Sequence, residues 1–223
     1  MEFSGCHSAQ YVLDRWISVC LDCNLDDVFI DANWKIISSK YSEPHRHYHT
    51  LEHIEHLLNL SEQYQFCCQD MIAIDLAIIF HDIIYDPRSP MNEEESAQLF
   101  SKMFNEKIPL TAIKKVCGYI LATKSHKVPH GNTDMDLCLF LDYDMEILAS
   151  SHENYLEYSL KVRNEYIHVE KSEYCRRRSV FLRNILNSDH SIYMSDEFKC
   201  YESNARQNLE MECARLENED LSI

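Results

Sequence analysis

Glycine is so scarce in this chain that it constrains the fold more than any other feature. Only 3 of the 223 residues are glycine, whereas glycine averages about 7% of residues in soluble proteins. Tight β-hairpins depend on glycine because it tolerates positive φ angles. Gly118 lies inside a helical pattern, which leaves even fewer glycines for turns. The sequence therefore predicts an all-α fold.

Apolar residues that recur at three- and four-residue steps predict helices along the whole chain. The predicted helices cover residues 9–24, 28–40, 50–64, 70–84, 92–105, 111–124, 136–150, 152–169, 171–187 and 197–217. Asn92 followed by Glu95 has the spacing of a capping box, so we expect Asn92 to cap the fifth helix. A chain of this length suits one domain or slightly more.

The acidic composition excludes several kinds of partner. The chain has 21 Lys+Arg against 37 Asp+Glu and a formal net charge of −16, so it lacks the basic surface that neutralises nucleic-acid phosphates. The longest apolar stretch, residues 72–80, has nine residues, whereas a membrane helix needs about 20. The first residues have neither the basic nor the apolar region of a secretory signal. We therefore expect a cytoplasmic protein with neither a nucleic-acid polymer nor a membrane as its partner.

The helix predicted over residues 70–84 differs from the others because apolar side chains cover every side of it. This pattern predicts a buried central helix. His81 and Asp82 lie near its end, where an unpaired carboxylate would cost several kcal/mol. A cation is the simplest partner, and adjacent nitrogen and oxygen ligands suit manganese, iron, cobalt or zinc. The alternative is that Asp82 only caps the helix or pairs with an arginine.

Five histidines crowd into residues 45–56, and histidine-dense segments are candidates for metal binding. At about 100° per residue, His49, His53 and His56 fall within about 60° of one another on one helix face. The alternative interpretation of this face is a solvated polar surface.

A further carboxylate is predicted to face the core. In residues 137–148, Asp144 projects with the apolar side chains, whereas Asp142 points about 160° away from it. We therefore expect Asp144 to be buried as a third partner of the His-Asp pair, and Asp142 to lie on the surface.

The order His49, then His81-Asp82, then Asp144 resembles the H, HD, D signature of the HD superfamily of metal-dependent hydrolases. The context of these residues is more specific than the HD dipeptide alone. It comprises Y-S-E-P-H-R-H-Y-H-T-L-E-H-I at 41–54, F-H-D-I-I-Y-D at 80–86, N-E-E-E-S-A at 92–97, I-L-A-T-K-S-H at 120–126, F-L-D-Y-D-M-E-I-L at 140–148 and V-R-N-E-Y at 162–166. Together these motifs resemble the branch described as predicted metal-dependent HD phosphohydrolases, from about residue 16 to residue 216.

The resemblance implies a single HD-type helical bundle over residues 1–223, with the metal site between central helices. Its parts would be N-terminal helices in 9–40, a metal-site core in 41–150 and C-terminal helices in 151–223. The ligands of one divalent ion (manganese, magnesium, cobalt, iron or zinc) would be His49, His81, Asp82 and Asp144. In some HD enzymes with two metals a second site exists, which here would use His126 together with His53.

The activity implied by the resemblance is hydrolysis of a phosphoester in a small nucleotide or another phosphorylated metabolite. A divalent ion acidifies water and neutralises a phosphoryl oxygen. Glu93 or His53 is expected to transfer the proton, although Glu93 would also favour a helix N-terminus electrostatically. The cationic residues that the motifs place to bind a substrate phosphate are Arg46, Lys124, Arg163 and Arg177.

Two alternatives remain open at the level of sequence. The first is an oxygenase, because some HD proteins hold two irons and use dioxygen to cleave carbon bonds. The second is a non-catalytic module that binds a metal ion or a nucleotide. A homodimer also remains open. The chain has no P-loop, no nucleophile elbow, no H-E-x-x-H and no EF-hand motif, which disfavours the corresponding chemistries.

Overall fold

The computed structural model of the chain describes residues 4–128 and 134–221. Within these ranges every regular element is a helix, so the predicted all-α fold is confirmed. The chain divides after Phe140 into two compact units. The single domain predicted for residues 1–223 stays a prediction.

The helices follow the predicted order. They are α1 (Ser4–Asp22), α2 (Asp27–Tyr41), α3 (Leu51–Gln63), α4 (Met71–Phe80), α5 (Asn92–Phe104), α6 (Leu110–Ala122), α7 (Met135–Met145), α8 (His152–Glu165), α9 (Lys171–Leu186) and α10 (Glu202–Glu217). Short 3₁₀ turns lie at Gln65–Cys67, Glu146–Ala149 and Lys199–Tyr201. No helix in the described part of the chain is both long enough and apolar enough to cross a membrane.

Helix α4 is the centre of the first unit. Its residues 73–80 are all buried, and it packs against α1, α3, α5 and α6. The prediction of a buried central helix is confirmed, because a helix that is apolar on every side needs neighbours on every side. The helix ends at Phe80, however, four residues earlier than the pattern predicted.

Helix α4 carries one buried carboxylate in its middle, Asp75. Nε of Arg15 on α1 donates to Asp75 Oδ2 at 2.7 Å, and Oγ of Ser61 on α3 donates to Asp75 Oδ1 at 2.7 Å. Burial raises the pKa of Asp75, while the charge of Arg15 and the Ser61 hydrogen bond act in the opposite direction. This network fixes α1 and α3 to the central helix.

Helix α5 begins differently from the prediction. The capping position is occupied by Met91, whose side chain makes no capping hydrogen bond. Asn92 is the first helical residue, and its side chain bonds to Asp86: Oδ1 accepts from the Asp86 N–H at 3.0 Å and Nδ2 donates to the Asp86 carbonyl at 3.0 Å. The predicted cap was therefore wrong, because the Asn92 amide closes the preceding loop instead.

In the second unit, α9 packs along α10, which also contacts the turn Glu146–Ala149. A buried ion pair lies between these two helices: Nε of Arg178 donates to Glu212 Oε1 at 2.9 Å. The hydroxyl of Tyr155 on α8 donates to the same carboxylate. Three helices of the unit thus meet at one buried charge pair.

The predicted orientations of Asp142 and Asp144 were wrong. Asp142 is fully buried and Asp144 only half-buried. Residues 139–143 of α7 are all buried, so the helix is covered on most sides and its periodicity does not separate a core face from a surface face. The burial of Asp142 is offset by donors from the N–H of Met194 at 2.8 Å, and from the N–H and Oγ of Ser195 at 2.7 and 2.6 Å.

We expect Arg15→Met to lower the free energy of unfolding by about 3–5 kcal/mol, because it leaves the Asp75 charge buried without its cation. Urea unfolding followed by circular dichroism measures the change. Arg177→Met is the matched control, since Arg177 pairs with Glu173 on the surface and such exposed pairs contribute about 0–1 kcal/mol. Equal losses in the two variants would contradict the role of the buried pair.

Asp142 also predicts a pH dependence. Burial raises its pKa from 3.8 to about 6, so the folded state binds this proton more tightly than the unfolded state does. The wild type should therefore gain stability relative to Asp142→Asn as the pH falls from 7 to 4, by on the order of 1–3 kcal/mol. Urea unfolding of both proteins at several pH values measures the difference, and a difference that stays constant with pH would contradict it.

Candidate metal centre

Three side chains of the first unit come together at the end of α4: His53 from α3, and His81 and Asp82, which follow α4. Each offers one ligand atom, and these atoms lie within 4.8 Å of one another. Nε2 of His81 lies 3.0 Å from Oδ2 of Asp82 and 3.3 Å from Nε2 of His53. Both imidazoles are 1% exposed and the Asp82 side chain is 17% exposed. We call these three residues the HHD cluster.

The other nitrogen of His81 determines what its Nε2 can do. Nδ1 lies 2.8 Å from the carbonyl oxygen of Ile78, so Nδ1 carries a proton and donates it. In a neutral imidazole, Nε2 then holds a lone pair that faces the carboxylate of Asp82 at 3.0 Å. Two acceptors at this distance need a positive charge between or upon them, which either a proton on Nε2 or a metal ion supplies.

The donor set of the HHD cluster fits a transition-metal ion. Two imidazole nitrogens and one carboxylate oxygen form a mixed set that suits manganese, iron, cobalt or zinc. The hydrogen bond from His81 Nδ1 to a backbone carbonyl is the arrangement that orients metal-binding histidines.

The backbone leaves the helix at Phe80 because partners outside α4 take over its hydrogen bonds. The hydroxyl of Tyr41 donates to the carbonyl of Ile79 at 2.9 Å. Oγ of Ser96 accepts from the N–H of Ile84 at 3.1 Å and donates to the carbonyl of the same residue at 3.3 Å. These bonds hold the end of α4 and the turn that carries His81 and Asp82.

His49, the predicted first ligand, lies beside the HHD cluster. Its Nε2 is 3.9 Å from Oδ2 of Asp82 and its side chain is half-buried. The ring of Tyr85 stacks on its imidazole, with a centroid distance of 4.3 Å. His53, predicted to transfer a proton, belongs to the cluster itself, and its role as an acid or base stays a prediction.

Arg46, predicted to bind substrate, is buried next to the cluster. Its side chain has 0% exposure, and its nitrogens donate to the carbonyls of His49, Asp82 and Ile83. Its Nε also donates to Glu43 at 3.3 Å.

Glu93 and Lys124 are brought together in the structure. Lys124, just beyond α6, lies 4.0 Å from Glu93 through its Nζ and also contacts Glu94. The same Nζ donates to the carbonyl of Pro90 at 2.7 Å. Glu93 lies in the first turn of α5, where a negative charge interacts favourably with the helix dipole, as the sequence indicated.

The remaining predicted residues lie elsewhere along the chain. His126 is half-buried beyond α6, with a positive φ of 46°. Arg163 donates to the carbonyls of Tyr166 and Val169. Arg177 is exposed. Because Asp144, Arg163 and Arg177 belong to the second unit, their predicted roles in the site stay predictions.

Sequence reasoning did not identify the residues that support the cluster. Tyr41, Tyr85 and Ser96 contact the ligands or the turn that carries them. All three lie within the motifs at 41–54, 80–86 and 92–97. The other residues of these motifs could therefore have been considered as supports for the candidate ligands.

Comparison of the chain with protein-family models, with curated proteins and with solved structures finds no match. The resemblance to the HD superfamily therefore stays a prediction made from motifs.

Replacing Ser96 with alanine tests the support of the ligand-bearing turn. We expect Ser96→Ala to lower the free energy of unfolding by about 1–3 kcal/mol, since it leaves the N–H and carbonyl of Ile84 without this partner. Urea unfolding measures the loss. Ser39→Ala, at an exposed position of α2, is the control and should stay within about 0.5 kcal/mol of the wild type. A Ser96→Ala variant as stable as that control would show that the turn does not depend on the serine.

Proposed function

We propose that the chain is a metal-dependent hydrolase that acts on a phosphoester, in a small nucleotide or another phosphorylated metabolite. The observation that carries this proposal is the HHD cluster, in which Nε2 of His81 lies 3.0 Å from Oδ2 of Asp82 and 3.3 Å from Nε2 of His53. His53, His81 and Asp82 would hold the ion, with His49 adjacent. When bound, a divalent ion acidifies water and neutralises the charge of a phosphoryl group.

The charges of the chain support a role for a metal ion in neutralising the substrate. The net charge is −16, so an anionic substrate would be repelled without a local positive charge. Lys124 already contacts two glutamates, and the donors of Arg46 bond to the backbone and to Glu43. A metal ion at the HHD cluster would supply such a positive charge.

Glu93 remains our candidate for proton transfer. Its side chain is 25% exposed, which allows a substrate or a water molecule to reach it. Nζ of Lys124 lies 4.0 Å from the carboxylate of Glu93, and a carboxylate that water can reach is suited to proton transfer.

The proposal is tested by assaying a panel of phosphomonoesters and phosphodiesters with protein supplied with manganese or cobalt. We expect Asp82→Asn to lose more than about 100-fold in rate, because even substitutions around metal ligands cost 10- to 100-fold. His56→Gln is the control, since His56 is exposed on the same helix as His53; it should stay within about twofold of the wild type.

The same assay without dioxygen separates the hydrolase from the oxygenase. A hydrolase turns over equally well in either atmosphere. Product that forms only with dioxygen, or no turnover of any phosphoester by a protein that binds the ion, would contradict the proposed hydrolase.

A further inference from the structure

Arg46 is the most completely buried charged side chain beside the HHD cluster, with 0% exposure. A buried guanidinium is costly unless its N–H groups are bonded. Four of its five N–H groups have partners: one bonds to Glu43 Oε2 at 3.3 Å, and three bond to backbone carbonyls. The arginine is therefore built into the protein interior.

The three carbonyls belong to the segments that carry candidate ligands. Nη1 of Arg46 donates to the carbonyl of His49 at 3.0 Å and to that of Asp82 at 2.8 Å. Nη2 donates to the carbonyl of Ile83 at 3.1 Å. A single nitrogen thus bridges two backbone segments that are 33 residues apart in the sequence.

Two tyrosine rings lie next to the guanidinium group of Arg46. Its central carbon lies 5.0 Å from the ring centroid of Tyr41 and 5.4 Å from that of Tyr85, distances typical of cation–π contacts. Tyr85 also stacks on His49 with a centroid distance of 4.3 Å. The arginine therefore acts on His49 twice, through its carbonyl and through the tyrosine ring.

We propose that Arg46 is a positioning residue that sets the placement of His49 and Asp82 for metal binding, and that it does not bind the substrate phosphate. The role in metal binding rests on the proposed function, whereas the contacts of Arg46 do not depend on it. The contacts that carry it are the bridge from Nη1 and the stack on Tyr85. A phosphate ligand would need exposed N–H groups, whereas this guanidinium is enclosed.

Arg46→Lys tests the proposal because lysine keeps the charge but cannot reproduce the planar fork that bridges two carbonyls. Arg176→Lys is the matched control at an exposed position, where the arginine pairs with Glu173 on the surface. Calorimetric titration with cobalt measures the affinity of chelator-treated protein. We expect Arg46→Lys to weaken cobalt binding by about 10- to 100-fold, as substitutions around metal ligands do, while Arg176→Lys binds as the wild type does.

Hydrogen exchange of the metal-free protein gives a second readout that does not depend on an ion. Backbone amides in residues 47–53 and 81–84 should exchange faster in Arg46→Lys than in the wild type, while those of α1 and α2 stay unchanged. Tyr85→Leu keeps Arg46 and removes only the aromatic face, so it should weaken cobalt binding in the same direction. It decides the question if Arg46→Lys does not fold.

Wild-type cobalt affinity in the folded position-46 variant, or in Tyr85→Leu if that variant does not fold, would overturn the proposal. Intact affinity combined with a raised KM for a phosphoester would show that Arg46 binds substrate instead. If the wild type binds no cobalt, the proposed function fails. In that case hydrogen exchange alone tests whether Arg46 positions the two segments. Exchange rates in residues 47–53 and 81–84 that are the same in Arg46→Lys as in the wild type would overturn the positioning role.

Discussion

The buried end of helix α4 requires hydrogen-bond partners from other parts of the chain. Residues 73–80 of this helix, in the middle of the first unit, are buried, and the last carbonyls of any helix lack partners within it. The hydroxyl of Tyr41 donates to the carbonyl of Ile79 in the last turn of α4, and Ser96 bonds to Ile84 in the segment that follows the helix. The packing of the first unit around α4 and the shape of the turn after Phe80 both follow from this requirement.

The candidate metal centre uses the same chemistry. One of the last carbonyls of α4, that of Ile78, accepts a hydrogen bond from Nδ1 of His81, so that Nε2 is the nitrogen that faces Asp82. Nη1 of Arg46 donates hydrogen bonds to the carbonyl of Asp82 and to that of His49. Groups that satisfy the buried helix end therefore also orient the ligands, so stability and ion binding should be coupled at this turn.

Features that depend on residues close together in the sequence could be predicted. They include the burial of α4 and the position of His81-Asp82 near its end, because the spacing of apolar residues indicates how much of a helix is buried. Bonds between distant segments could not be predicted in this way. The side chain of Asn92 closes a loop instead of capping α5, and Asp142 is buried because Ser195, far along the chain, supplies donors to it. Because residues 139–143 of α7 are buried on every side, its periodicity also could not show which of Asp142 and Asp144 is the more buried.

We propose that His53, His81 and Asp82 hold a divalent ion at the end of α4. Anomalous diffraction from crystals soaked in cobalt is the decisive measurement, because the scattering of cobalt locates the ion without reference to activity. We expect an anomalous peak bounded by Nε2 of His53, Nε2 of His81 and a carboxylate oxygen of Asp82, the three atoms that lie within 4.8 Å of one another. Crystals that bind cobalt only elsewhere, or show no peak at these atoms, would contradict it.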